Sequence, residues 1–263
     1  MNIDPVIFSI GPIQLRWYGL MYLLGYLVGG QILGLLVKNK FLQIPKEKID
    51  SYIGYLLIGM LVGARLAYVF IYNWDFYSDH LLDIPAVWKG GLSFHGAVAG
   101  MCFSTWLFAK KFKLHFFQIA DCMAVAGTPG LFLGRMGNFI NGELYGRVTD
   151  SSFGIVFAKG GPYPRHPSQL YEGISEGLIL FLILWFMHKR VKNYGTISAV
   201  FLLGYGIFRY TVEFFREPDA QLGYYFGGTT TMGQILCLLM IVLSFAIYVY
   251  AKKLAIAVPR ETV

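Results

Sequence analysis

The chain has 263 residues, of which only 14% are charged, and its mean hydropathy is +0.54. Soluble domains carry about 25% charged residues, so this composition excludes an ordinary soluble protein and indicates an integral membrane protein. A net charge of +7 can suggest nucleic-acid binding, but the distribution of the basic residues gives a better account, and we expect no nucleic-acid partner.

Seven apolar segments are long enough to cross a membrane, which takes about 20 mostly apolar residues. The fourth contains Gly127-Thr128-Pro129-Gly130, which predicts a kink. We therefore predict an all-α polytopic membrane protein with a single membrane domain over residues 1–263. The approximate limits of the seven helices are 16–37, 52–72, 91–109, 116–134, 171–188, 195–215 and 231–251.

The basic residues are divided unequally between the two ends of these segments. Thirteen of the 22 lysines and arginines follow the first, third, fifth and seventh segments, and five lie on the opposite side. The positive-inside rule then predicts an N-terminus outside and a C-terminus in the cytoplasm. Residues 135–170 would form a small extracytoplasmic head.

Four arginines lie within or at the edge of the predicted spans: Arg16, Arg65, Arg135 and Arg209. An arginine in a bilayer costs several kcal/mol, on the order of 3 by insertion scales, so such residues usually face the protein interior or a polar cavity. At a rise of about 1.5 Å per residue, all four lie in the outer half of the membrane. For Arg65, outward snorkelling is an equal alternative.

The segment GRMGNFINGELYGR at residues 134–147 places Arg135 beside Asn138 and other amides, and Tyr205, Arg209 and Glu213 share one face of the sixth helix. A guanidinium group binds phosphate in a bidentate manner. We therefore expect an anion site for a phospholipid head group. The alternative is that Arg209 pairs with Glu213 only to hold the structure together.

His95 is the one histidine predicted within a span near the outer face. It titrates near neutral pH and can act as a general base, although a purely structural role is equally open. The three cysteines lie in apolar runs without metal-type spacing, so we expect neither a catalytic cysteine nor a metal site. Ser168 follows two prolines and is predicted to cap the fifth helix, and Arg147 is predicted to be ordinary surface charge.

Several long segments together resemble the prolipoprotein diacylglyceryl transferase family of bacteria. In chain order they are DPVIFSIGPIQLRWYGLMY, GARLAYV, GGLSFHGA, GRMGNFINGELYGR, RHPSQLYE and GYGIFRYTVEFFREPD. The resemblance implies transfer of the diacylglyceryl group of phosphatidylglycerol to the lipobox cysteine of a prolipoprotein signal peptide, which forms a thioether and releases glycerol phosphate. It also implies seven helices with a small head, no cofactor, and a site on the outer side of the bacterial cytoplasmic (inner) membrane.

The resemblance also suggests roles for particular residues. Arg135 matches the family's phosphatidylglycerol-binding arginine, Arg209 a second essential arginine, and His95 the proposed base. The base can equally be Glu143 or Glu213, and Glu143 can instead orient Arg135. The residues expected to be catalytic are His95, Arg135, Arg209, Glu143 and Tyr205, and those expected to bind phosphatidylglycerol are Arg135, Arg209, Asn138, Tyr18, Gly146 and Glu213.

Two other classes of protein compete with this interpretation. A membrane transporter of an anionic or lipid-like substrate would also place arginines and carboxylates inside the membrane. The polar groups of this chain are clustered at one side, however, and no clear inverted repeat is visible. A purely structural membrane protein leaves the four arginines without an explanation.

Overall fold

The computed structural model describes residues 3–11, 13–217, 224–225, 228 and 230–259. Two short antiparallel hairpins, β1 (Val6–Ile10) with β2 (Ile13–Arg16) and β3 (Tyr224–Tyr225) with β4 (Thr230–Thr231), accompany a mainly helical chain. The α-helices are α1 (Trp17–Lys38), α2 (Lys48–Ala67), α3 (Trp74–Tyr77), α4 (Phe94–Lys111), α5 (Phe116–Ile140), α6 (Ser168–Glu172), α7 (Leu180–His188), α8 (Thr196–Val212) and α9 (Met232–Leu254).

Short segments of other helix types continue or connect these helices. A π-helical segment, Tyr68–Tyr72, extends α2, and another, Gly173–Ile179, joins α6 to α7. Two 3₁₀ turns, Leu81–Asp83 and Val87–Lys89, lie between α3 and α4. The chain divides into two compact units, Met1–Leu35 with Asp121–Val263, and Leu36–Ala120.

Five helical segments in the described part of the chain are long and apolar enough to cross a membrane. They are Trp17–Lys38, Lys48–Tyr72, Phe116–Ile140, Ser168–His188 and Met232–Leu254. Helices α4 and α8 lie at the third and sixth predicted segments but are not among these five, and α8 has only 17 residues. The chain is thus a multi-pass helical membrane protein, while the count of seven spans and their orientation stay predictions.

Helix α5 continues unbroken through Pro129 to Ile140, beyond the predicted end at residue 134. Proline has no N–H to donate to the carbonyl four residues earlier, which is that of Val125. The hydroxyl of Thr128 donates to this carbonyl oxygen instead, at 3.0 Å. Arg135 and Asn138 therefore lie within the last turns of a helix, and not in a loop that follows it.

Two capping contacts differ from or add to the sequence-based expectations. Pro167, and not Ser168, occupies the N-cap position of α6, and the Ser168 hydroxyl donates to the carbonyl of Leu144 at 3.1 Å. The prediction that Ser168 caps the helix was therefore wrong. The buried carboxylate of Asp121 on α5 accepts the N–H groups of Gly195 and Ser198, both at 2.8 Å, and so caps α8.

In the second compact unit, α2 and α4 pack closely through glycines. A Cβ added to Gly63 would lie 2.7 Å from the Cα of Gly100 and would also clash with the carbonyl oxygen of Gly96. Small residues allow such close approach between membrane helices. At the other end of this helix pair, the buried rings of Tyr52 and Phe108 lie 4.9 Å apart.

Candidate functional site

Two of the arginines predicted to lie in the membrane converge on one buried carboxylate, that of Glu172. The Nη2 atom of Arg135 is 2.7 Å from Oε2 of Glu172, and Nη1 of Arg209 is 3.1 Å from Oε1. The Glu172 side chain is 1% exposed, whereas those of Arg135 and Arg209 are 25% and 13% exposed. One carboxylate thus fixes the spacing of two guanidinium groups and leaves part of each arginine side chain accessible.

A second carboxylate, that of Glu213, also contacts Arg209. Its Oε2 lies 2.9 Å from Nη2 of Arg209, which is four residues earlier in the chain. The hydroxyl of Thr231 donates to Oε1 of Glu213 at 2.9 Å, and a Cβ added to Gly233 would lie 2.8 Å from that oxygen. The pairing of Arg209 with Glu213 that the helical spacing predicted is therefore present, but Glu172 shares the same guanidinium.

A third carboxylate, that of Glu176, lies further along the same helical segment. It follows Glu172 by four residues, within the π-helical part of the chain, and is 1% exposed. Its charged neighbours are Glu172, Arg209 and Arg135, and the Tyr205 hydroxyl lies against it. Irregular π-helical turns frequently occur at functional sites, and this one brings an additional carboxylate to the arginines.

Arg216 brings a third guanidinium group close to these carboxylates. Its Nε is 3.8 Å from Oε1 of Glu172, and its Nη1 is 3.8 Å from Oε2 of Glu213. Its carbonyl accepts a hydrogen bond of 2.9 Å from Nε of Arg147, whose own N–H donates to the carbonyl of Phe215 at 2.9 Å. The prediction that Arg147 is ordinary surface charge was therefore wrong, because this residue fixes the segment that carries Arg216.

Asn138 connects Arg135 to Glu143. Its Oδ1 lies 3.5 Å from Nη1 of Arg135, and its Nδ2 donates to Oε1 of Glu143 at 2.9 Å. Asn141 donates to the same oxygen at 3.3 Å. If Glu143 orients Arg135, it therefore does so through the amide group of Asn138 and not by direct contact.

Tyr18, at the start of α1, lies beside this amide group. Its ring packs on α5 at Gly137, where an added Cβ would be 2.8 Å from the ring atom Cδ2. The hydroxyl is 3.2 Å from that of Tyr22 and also interacts with Asn138. The structure therefore brings Tyr18 together with Asn138 and Glu143, while the roles expected of the three residues stay predictions.

Gly146 is buried where segments of the head region meet. Its N–H donates to the carbonyl of His166 at 2.8 Å, and it forms a β-bridge with Arg216. An added Cβ would be 2.8 Å from the Cβ of His166 and would clash with the carbonyl oxygen of Phe215. The backbones approach so closely here that a side chain would not fit, which explains the glycine. The expected contact of Gly146 with lipid stays a prediction.

His95 lies in the other compact unit, as the second residue of α4. Its side chain is exposed, and its ring centre is 5.9 Å from that of Phe94. The described contacts that surround Glu172 do not include this histidine. Its role as general base therefore rests on the sequence motif and on its accessibility.

The residues predicted to form the site did not include Glu172, Glu176 or Arg216, although Glu172 ends the RHPSQLYE motif and lies near the outer start of the fifth predicted segment. A signal for the first two was available, because they are four residues apart in an apolar segment and so share one helix face. Arg216 is one of the five basic residues that the sequence places on the outer side, and it follows Glu213 by three residues. The three residues join the site because α5, α6 and α8 meet at Glu172.

A sequence model described as prolipoprotein diacylglyceryl transferase matches residues 5–250. The chain belongs to the prolipoprotein diacylglyceryl transferase family. Among similar proteins, a phosphatidylglycerol–prolipoprotein diacylglyceryl transferase of Nitratidesulfovibrio vulgaris (strain DP4) is 47% identical over 242 residues, which cover 92% of each chain.

Two further relatives that carry the same name support this membership. The enzyme of Oleidesulfovibrio alaskensis is 45% identical over 254 residues, which cover 95% of this chain and 94% of the relative. That of Rickettsia felis is 46% identical over 245 residues, with coverage of 92% and 94%. The match to the prolipoprotein diacylglyceryl transferase family includes every predicted site residue from Tyr18 to Glu213, and no finding favours a transporter.

Proposed function

We propose that this chain transfers the diacylglyceryl group of phosphatidylglycerol to the cysteine thiol of a prolipoprotein lipobox, the first step of bacterial lipoprotein maturation. The proposal combines the names of the relatives with the chemistry of the arginine cluster. Its substrates would be phosphatidylglycerol and a prolipoprotein signal peptide. Both are anchored in the membrane, so they would reach the site laterally between helices.

The observation that carries the proposal is the convergence of Arg135 and Arg209 on Glu172. Two guanidinium groups with a fixed spacing and accessible side chains suit a phosphodiester, which accepts paired hydrogen bonds. Glu213 would hold Arg209 in place, and Asn138 with Tyr18 would line the site next to Arg135. Gly146 would contribute by allowing the head segments to approach each other closely.

The reaction follows from where charge develops. A base removes the thiol proton, and the thiolate sulfur attacks the carbon of the diacylglyceryl group that bears the phosphate. The S–C bond forms as the C–O bond breaks, and glycerol phosphate leaves with the electron pair of that bond. Arg135 and Arg209 would stabilise the charge that builds on the phosphate. Tyr205, whose hydroxyl contacts Glu176, would help to position the cluster of carboxylates and arginines.

The base is needed because a free thiol has a pKa near 8.5, so only a few per cent is thiolate at about pH 7. We assign this role to His95, with Glu143 as the alternative carboxylate near Arg135. Glu213 is less suited to the role, because one of its oxygens contacts Arg209 and the other accepts from Thr231. No metal is required when two guanidinium groups stabilise the leaving phosphate.

The site would face the outer side of the bacterial cytoplasmic membrane. In this arrangement seven helices span the membrane, the N-terminus is outside, and residues 141–167, which lie between α5 and α6, form the extracytoplasmic head. The excess of basic residues at the opposite ends of the helices supports this orientation.

The proposal is tested by incubating the purified protein with phosphatidylglycerol and a lipobox peptide, and by measuring the mass gain on the cysteine. We expect Arg135→Ala and Arg209→Ala each to lower the rate of thioether formation by about 10²–10³-fold. Arg16→Ala is the matched control, because Arg16 is exposed and contacts Gln14. Failure of the folded wild-type protein to modify the peptide would refute the proposed function.

A further inference from the structure

Arg65 is a buried arginine that the proposed reaction does not use. It lies in the last turn of α2, is 4% exposed, and donates four hydrogen bonds to backbone carbonyls. Its Nε reaches the carbonyl of Ile84 and its Nη2 that of Asp83, both at 2.7 Å. Its Nη1 reaches the carbonyls of Gly90 at 2.6 Å and Gly91 at 3.1 Å. The alternative that Arg65 snorkels into water is therefore wrong.

The four hydrogen bonds of Arg65 go to backbone carbonyls, and its charge reaches the nearby carboxylate of Asp83 only as a weaker, longer-range attraction. Its guanidinium carbon lies 5.0 Å from the centre of the Tyr77 ring, and the carboxylate of Asp83 is bound to Lys89 at 2.7 Å. The hydrogen bond from Lys89 holds the pKa of Asp83 below its ordinary value. Arg65 thus acts as a clamp on residues 83–91, the segment that precedes α4.

The end of this clamped segment has a backbone that favours glycine. Gly90 and Gly91 have φ angles of +84° and +77°, in the region that side chains rarely tolerate. A Cβ added to Gly91 would also lie 2.7 Å from Cδ1 of Tyr68. Because Arg65 binds both glycine carbonyls, it fixes the direction in which the chain enters α4.

Helix α4 begins at Phe94, three residues after Gly91, and carries His95 in its first turn. The N–H of Ser93 donates to the carbonyl of Ala64 at 3.0 Å, next to Arg65, and the Ser93 hydroxyl accepts from the N–H of Gly96 at 3.2 Å. Gly96 contacts α2 so closely that an added Cβ would clash with Ala67. The backbone of His95 is therefore held between two attachment points on the end of α2.

We propose that Arg65 is a positioning residue for His95: by clamping the carbonyls of Gly90 and Gly91, it sets where the first turn of α4 presents the imidazole. This inference rests on the proposed function, in which His95 is the base. A displacement of about 1 Å in a catalytic group can lower a rate by about 10²-fold. Loss of the clamp would thus reduce turnover without any contact between Arg65 and the substrates.

The test uses Arg65→Lys, which keeps the charge but cannot form the guanidinium fork with four carbonyls. Hydrogen exchange of the full-length protein in micelles should show faster exchange over residues 83–96, by about tenfold, with no change in α8. Arg16→Lys is the matched control and should change neither region. Unchanged exchange over residues 83–96 would overturn the clamp.

The catalytic part of the inference is tested by a double-mutant cycle with His95→Gln. We expect Arg65→Lys to lower kcat by about 10–100-fold in the wild-type background and by less than about twofold in the His95→Gln background. KM for phosphatidylglycerol should change little. An equal loss in both backgrounds would mean that Arg65 acts independently of His95, and the inference would fall.

Two further outcomes separate this inference from the proposed function. A His95→Gln enzyme with the wild-type rate would remove His95 as base and with it the catalytic consequence of Arg65, whereas the exchange experiment would still decide whether the clamp exists. Arg65→Gln is prepared in parallel because it retains two N–H donors for the glycine carbonyls. If neither variant folds, Arg65 serves the fold as a whole, and the positioning role is wrong.

Discussion

Glu172 has a different task from the arginines that it binds. It is buried beneath Arg135 and Arg209, with Arg216 slightly further away. A carboxylate in this place lowers the repulsion between guanidinium groups and fixes their separation. In the proposed reaction it would also compete with the phosphate for the same donors, so it would weaken lipid binding while it improved the placement of the lipid.

Replacement of Glu172 by glutamine tests these two opposing effects, on the affinity for the lipid and on its placement. The amide keeps the size of the side chain but no longer neutralises the arginines. We therefore expect kcat to fall by about 10²-fold, because the guanidinium groups lose their fixed spacing, while KM for phosphatidylglycerol does not rise. Initial rates over a range of lipid mole fractions in mixed micelles measure both quantities.

The matched control for this prediction is Glu217→Gln. Glu217 also pairs with an arginine, Arg165, at 2.9 Å, but its side chain is 51% exposed. Ion pairs that are accessible to water contribute about 0–1 kcal/mol to stability. The rate of the Glu217→Gln variant should therefore stay near that of the wild type. An unchanged kcat in Glu172→Gln would show that Glu172 does not organise the site.

Some of these residues could be predicted from the sequence and others could not. The i, i+4 spacing of Arg209 and Glu213 gave their contact directly, because it depends on a single helix. The contact of Glu172 with Arg135 and Arg209 joins three separate helices, and no local pattern specifies such a meeting. The roles of Arg65 and Arg147 were missed for the same reason, since both donate to distant backbone carbonyls.

Among the helices, α5 and α8 do the most to position the arginines. Helix α5 carries Arg135 and α8 carries Arg209, and the two are connected through Asp121. Its carboxylate accepts the N–H groups of Gly195 and Ser198 and also the Ser198 hydroxyl, at 2.6 Å. The start of α8 is thereby tied to α5 near the end that lies away from the arginines.

We predict that Asp121→Asn destabilises the folded protein by about 1–3 kcal/mol, because the amide would place an NH₂ group against a buried N–H donor. Unfolding by denaturant in detergent micelles measures this change. Asp50→Asn is the control, since Asp50 is exposed on α2 and surface substitutions usually stay within about 0.5 kcal/mol. Equal stability of the two variants would contradict the capping role of Asp121.

The helices also show which element boundaries a sequence can predict. Apolar length located the helices well, because burial in lipid demands it. The end of α5 was placed too early, since Gly134–Arg147 has the glycines and polar groups of a loop. In the folded chain the first residues of that segment continue the helix, because Arg135 and Asn138 find partners in Glu172 and Glu143.

For the whole molecule, composition alone gave the membrane class, and the long motifs gave the family. The seven predicted spans include α8, which has only 17 residues, and α4, which is not among the five described segments that qualify by length and apolarity. Both helices carry residues that we place in the reaction, His95 and Arg209. A helix that holds polar functional groups is necessarily less apolar than one that only faces lipid.

The proposed reaction requires that Arg135 and Arg209 hold the phosphate of phosphatidylglycerol. The most direct measurement is the binding of this lipid to the purified protein by native mass spectrometry, without a peptide and therefore without turnover. We predict that Arg135→Ala and Arg209→Ala each lose bound phosphatidylglycerol, while Arg16→Ala retains it at the wild-type level. Wild-type occupancy in both site variants would contradict the claim.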